Sequence, residues 1–191
     1  TLQAIASGYL VSALALLVPA RSVRFALPFV LAGVYTLLLE LFGDMTPTGN
    51  FAQIVEQKFV RALGFPEGAQ AYATGNYTWL LTSLMFAAMA LWGSCCTEIV
   101  RSRLPQGRRA MALFALAAAL TAIGFTAQIW IAPVKQIFAL SFTARSMGVC
   151  IAALGVLYVV TDIWKLRRGW WLVTLFGQCA LACYVIRSGF G

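Results

Sequence analysis

Few residues in this chain can do chemistry. Its 191 residues include fourteen basic side chains, six acidic ones, five cysteines and no histidine. Glu40 and Asp44 stand four apart, so they share a helix face if the helix runs that far, and such a pair could do acid–base work. Equally, Gly43 between them can end the helix and leave two interfacial charges. Asp162, beside Lys165 and Arg167, reads as a helix-end charge. Arg145 either snorkels to an interface or binds an anion. Arg101, Arg103, Arg108 and Arg109 form a cluster suited to a polyphosphate or an anionic lipid, although membrane topology alone also explains them.

Cys95, Cys96, Cys150, Cys179 and Cys183 form no CxxC pair and all fall in apolar sequence, which suits small buried residues better than metal ligands. Without histidine, a haem held by two imidazoles, an imidazole-based copper or zinc site and a Ser-His-Asp or Cys-His pair are excluded within these residues. No metal or haem ligated by this chain is expected, and no catalytic residue is assigned. There is no P-loop and no GxGxxG.

The elements that must position these groups are membrane spans. Hydrophobic residues make up 61% of the chain, charged residues 10%, and the mean hydropathy is +0.84. Soluble domains carry about 25% charged residues. The apolar runs are continuous rather than alternating, which argues against an outer-membrane barrel. The expected fold is all-α, a polytopic transmembrane bundle of about six spans over residues 1–18, 25–42, 77–97, 110–132, 146–163 and 170–186. The loops after the first, third and fifth spans hold nine basic residues against four in the other two loops. The positive-inside rule places those three loops in the cytoplasm and both termini outside. An integral protein of a bacterial inner membrane is the expected location. The partner is the lipid bilayer, with a homo-oligomer or a larger membrane complex possible and no role for nucleic acid despite the net charge of +8. The Ala-rich third and fourth spans read as packed inner helices.

Two irregular stretches interrupt this pattern. The loop 43–76 contains GDMTPTGN and then FAQIVEQKFVRALGF, whose Phe51, Ile54, Val55, Phe59 and Leu63 predict a short amphipathic helix. Between the fourth and fifth spans, APVKQIFALSFT carries Pro133, which should end or break a helix. A break at membrane depth is tolerated only where protein or a cavity satisfies the backbone, so this segment is the best positional hint of a site. The apolar sequence begins abruptly at Thr1, which leads us to expect further polypeptide upstream.

In order and spacing these pieces resemble the polytopic membrane acetyltransferases of the heparan-alpha-glucosaminide N-acetyltransferase type. LQAIASGYL is similar to that family's L-Q-R-I-A-x-x-Y-L, and GDMTPTGNFAQIVEQKFV to its outer loop and short Y-I-D-R helix. PVKQIFALSFT resembles P-(V/I)-N-K-x-x-W-x-x-S, and GQCALACYV its terminal span. The chain departs from the pattern where the Asn before Lys135 is missing, where Phe138 replaces Trp, where Asn76-Tyr77-Thr78-Trp79 replaces D-P-E-G, where Gln178 replaces Asn, and in having no histidine. The resemblance implies the C-terminal part of such a fold. It further implies acetyl transfer from cytoplasmic acetyl-CoA, as co-substrate, to an amino sugar on the outer side. An upstream histidine would be the base or a transient acyl carrier, and Lys135, Ser141, Gln178 and Gln3 would be supporting contacts near the acceptor. The competing expectation is a non-enzymatic transmembrane scaffold subunit of a larger complex.

Overall fold

A computed structural model describes residues 2–46, 49–65 and 80–166. Among these residues the chain is all-helical, with no strand. The elements are α1 (Leu2–Leu16), α2 (Arg21–Phe42), α3 (Phe51–Ala62), α4 (Ser83–Arg101), α5 (Gln106–Ala127) and α6 (Leu140–Tyr158), the last running into a π-helical turn, Val159–Ile163. Four helices are long and apolar enough to cross a membrane: Arg21–Phe42, Ser83–Arg101, Gln106–Ala127 and Leu140–Ile163. α1 has 15 residues, short of the ~20 that a bilayer requires. The expected sixth span, 170–186, lies outside the described residues. The described residues therefore support an integral membrane protein with four candidate spans.

The chain divides into two compact units, 1–155 and 156–191. In the first, α4 is the central helix and packs against both α1 and α2. Its buried residues include Met85, Ala87, Ala88, Leu91, Trp92, Cys95, Cys96 and Ile99. α2 and α5 each bury a single stripe: Pro28, Ala32, Tyr35, Thr36 and Leu39 on α2, and Ala110, Leu113, Ala117, Leu120 and Gly124 on α5. Leu37, Leu41, Met111 and Phe125 on their other faces are exposed, as helices bordering lipid require. Of the two Ala-rich spans, only α4 is an inner helix. The alanines of α5 serve close approach along one stripe.

That approach is tight. A Cβ on Gly148 would overlap Thr121 Oγ1 and lie 2.9 Å from the Ala117 carbonyl oxygen; one on Gly124 would overlap Arg145 Cγ. Small residues let helix backbones meet in lipid, where no hydrophobic force drives them together. α1 uses the same device against α4, where a Cβ on Gly8 would stand 2.5 Å from Phe86 Cβ.

Pro28 inside α2 has no N–H, which removes the partner of the Arg24 carbonyl. The Cys95 thiol of α4 takes that place, with Sγ 4.0 Å from the Arg24 carbonyl oxygen. At the same level Arg24 Nε donates to Glu98 Oε1 at 2.8 Å, and Arg21 Nε lies 3.3 Å from Glu98 Oε2. Arg24 also donates to the carbonyls of Val18 and Pro19. One carboxylate on α4 thus clasps the turn between α1 and α2. Replacing Glu98 with Gln should cost about 2 kcal/mol, the worth of a charged hydrogen bond, read as a lower thermal unfolding midpoint in detergent. An unchanged midpoint would show that the clasp is incidental.

In the second unit, the π-helical turn Val159–Ile163 closes with Trp164 N–H donating to the Val159 carbonyl. Asp162 accepts from the Thr161 hydroxyl at 2.8 Å. Of its two expected partners, Lys165 forms no ion pair with it and Arg167 lies outside the described residues.

Candidate functional site

The short helix expected after α2 forms as α3, and it buries its polar side. Asn50 caps α3, its side chain accepting from the Gln53 N–H at 3.0 Å, as an N-cap Asn does. The buried residues of α3 are Ala52, Gln53 and Glu56, whereas Phe59 and Leu63 are exposed. The polar stripe Asn50, Gln53, Glu56 points into the protein, while along the apolar stripe Phe51, Ile54 and Val55 are half-buried and only Phe59 and Leu63 are exposed. Gln53 and Glu56 are both 0% exposed. In water this arrangement would be unfavourable. At a membrane surface the apolar face has lipid to meet, and the polar face needs partners within the protein.

Some of those partners are supplied by the start of α4. Glu56 Oε2 accepts from the Leu80 N–H at 3.0 Å, in the turn that opens α4, where a helix N-terminus favours a negative charge. Thr82 and Ser83, both buried, continue this polar layer, and Ser83 donates to the Leu80 carbonyl at 2.6 Å.

The break expected at Pro133 is present. α5 ends at Ala127, and turns and irregular backbone occupy 128–139 before α6 begins. The helix stops five residues earlier than the expected boundary at Ala132. The Tyr35 hydroxyl of α2 donates to the Ile137 carbonyl at 2.6 Å and also pairs with Thr82. Phe138 adopts a φ of 48°, a left-handed conformation uncommon for a bulky residue. Its ring lies 4.7 Å from that of Phe86. The freed backbone of the break is thus tied to α2 and α4.

Inside this end of the bundle several polar groups lack partners. The Ser141 hydroxyl and both amide atoms of Gln53 are fully buried without a hydrogen bond. Such a group costs about 1–3 kcal/mol, so a structural role alone is a poor account of them. Trp92, deep in α4, is likewise buried with its indole N–H unpaired, edge-on to Phe29 at 5.7 Å.

The opposite end is basic. Arg21, Arg101, Ser102, Arg103 and Leu104 line a pocket of about 550 Å³. Among the described residues Glu98 pairs with Arg21 of this pocket and with Arg24, and Arg101 and Arg103 form no ion pair. α5 begins nearby without an acidic residue or a side-chain cap in its first turn. The pocket has the charge and size for phosphate groups.

Of the expected site residues, Lys135 lies on the break and Ser141 on the first turn of α6, and they differ in setting: Lys135 is exposed and Ser141 is 0% exposed. Gln3 falls within α1, but its side chain, like all of Gln178, lies outside the described residues. Glu40 and Asp44 are not a helix-face pair. α2 ends at Phe42, Gly43 is extended, and the exposed Asp44 accepts from Thr46. Cys95 and Cys96 are buried as expected, whereas Cys150 is exposed. No three of Cys, Asp and Glu among the described residues are grouped to hold a metal ion. Sequence reasoning passed over Gln53, Glu56 and Glu98. The first two were visible as a polar stripe at helical spacing from Asn50, in a helix read for its apolar one. Comparison with family models, with curated proteins and with solved structures finds no match to this chain.

Proposed function

We propose that this chain forms the acceptor-binding part of a membrane acyltransferase, one that passes acetyl from acetyl-CoA to an amino sugar on the far side of the bilayer. The observation that carries this reading is the inward polar face of α3, with the Gln53 amide and Ser141 hydroxyl buried and unpaired. An amide and a hydroxyl suit a sugar's hydroxyl and amine groups, because each can donate and accept. The basic end supports the donor's side. By the positive-inside rule it faces the cytoplasm of a bacterial inner membrane, where acetyl-CoA is found. Arg21, Arg101 and Arg103 would hold the donor's phosphates, and their charge fits that role. Bound acetyl-CoA would supply the acetyl group, with a new amide C–N bond replacing the thioester C–S bond and the amine's proton passing to the departing thiolate. The chain's own residues bind and orient. Gln53 and Ser141 hold the acceptor, and Lys135, Gln178 and Gln3 are proposed as further contacts. Having no histidine, this chain contributes no imidazole base.

The test uses the native protein reconstituted into vesicles, with labelled acetyl-CoA on the basic side and glucosamine on the other. Labelled N-acetylglucosamine is expected to appear, and to fall with Arg101→Gln/Arg103→Gln. No labelled product from active-site-competent preparations, folded and stable by thermal unfolding, would overturn the reading.

A further inference from the structure

A second pocket, of about 610 Å³, opens beside α6 and is lined by Pro133, Phe142, Arg145, Ser146, Val149 and Cys150. Arg145 is its one charged group. It is the sixth residue of α6, about 8 Å along the helix from its start, and it is half-buried. Its guanidinium stacks on the Phe125 ring at 4.5 Å and donates to Gln128 Oε1 at 2.6 Å. Both partners are neutral. No carboxylate among the described residues lies within ion-pair distance of it.

An arginine within a span is costly, faces a partner or cavity, and marks a functional position by default. Here stacking and one amide bond fix the guanidinium but leave its charge uncompensated. Phe142, Val149 and Pro133 give the same pocket apolar walls. A cation above an apolar trough is complementary to an anionic head carrying a hydrocarbon tail.

We propose that this pocket binds an anionic amphiphile, its phosphate or carboxylate on Arg145 and its acyl chain along Phe142 and Val149. The site is distinct from the polar face of α3 and from the basic pocket at the other end, and it does not depend on acyl transfer. Phosphatidylcholine also carries a phosphodiester, but its choline cation cancels that charge, so binding discriminates by net head-group charge.

Cys150 gives a direct readout, since it is exposed and lines the pocket, whereas Cys95 and Cys96 are buried. The full chain is placed in nanodiscs of phosphatidylcholine, with or without phosphatidylglycerol or oleate, and alkylation of Cys150 by N-ethylmaleimide is followed by peptide mapping. Phosphatidylglycerol should slow alkylation by about five-fold, the factor expected for one basic residue meeting an anionic headgroup. Arg145→Gln should abolish the difference, while Arg145→Lys, which keeps the charge, should retain it and guards against a folding defect. Protection by phosphatidylglycerol alone assigns a phosphodiester head of net negative charge, and protection by oleate as well extends the site to free carboxylates. Equal rates in charged and neutral lipid, or a contrast that survives in Arg145→Gln, would overturn the proposal.

Discussion

Gly148→Leu is expected to leave little folded protein. The first atom of any side chain there overlaps Thr121 Oγ1 and stands 2.9 Å from two backbone atoms, the Ala117 oxygen and the Thr121 nitrogen. The hydroxyl could rotate away; the backbone atoms cannot. α5 and α6 must therefore separate along the stripe Ala117, Leu120 and Gly124. Overpacking of this kind costs about 3 kcal/mol or more when backbone is the obstacle, a large share of a typical total stability. The measurement is the yield of monodisperse protein after detergent extraction, together with its unfolding midpoint. Gly93→Ala is the matched control, since a Cβ at Gly93 meets nothing within 4 Å, and it should behave as wild type. If Gly148→Leu behaves like Gly93→Ala, α5 and α6 do not meet as described.

The second large effect has an unusual sign. Ser141→Ala and Gln53→Leu each remove a buried polar group that has no partner. Each should raise stability, by about 1–3 kcal/mol per unsatisfied group removed, and together they should raise the unfolding midpoint further. The same pair should lose most acetyl transfer, because the groups removed are those proposed to hold the acceptor. Stability and activity then move in opposite directions, as they do where a site stores unsatisfied groups for its ligand. A fall in stability would show that these side chains have structural partners. A rise with transfer intact would show that they bind nothing used in the reaction.

Much of the architecture was readable because lipid imposes simple rules. Continuous apolar runs located α2, α4, α5 and α6, with ends displaced by up to six residues, and Pro133 marked the break between the last two. The amphipathic period placed α3. What the period could not give was the direction of its polar face. In a soluble protein an apolar stripe points inward, but at a membrane both faces have somewhere to go, and the choice depends on partners distant in sequence. Leu80 binds Glu56 from 24 residues away. The Glu98 clasp was missed for a similar reason, since a carboxylate three residues before Arg101 reads as local charge balance. Its partners, Arg21 and Arg24, lie more than seventy residues earlier.

The central claim is that the inward face of α3 is a binding surface for a small polar acceptor. It is tested most directly by thermal unfolding of the native protein with and without glucosamine, in wild type and in Gln53→Leu. The account predicts that the sugar raises the wild-type midpoint and leaves that of Gln53→Leu unmoved, although the variant starts higher. An equal rise in both, or none in the wild type, would contradict it.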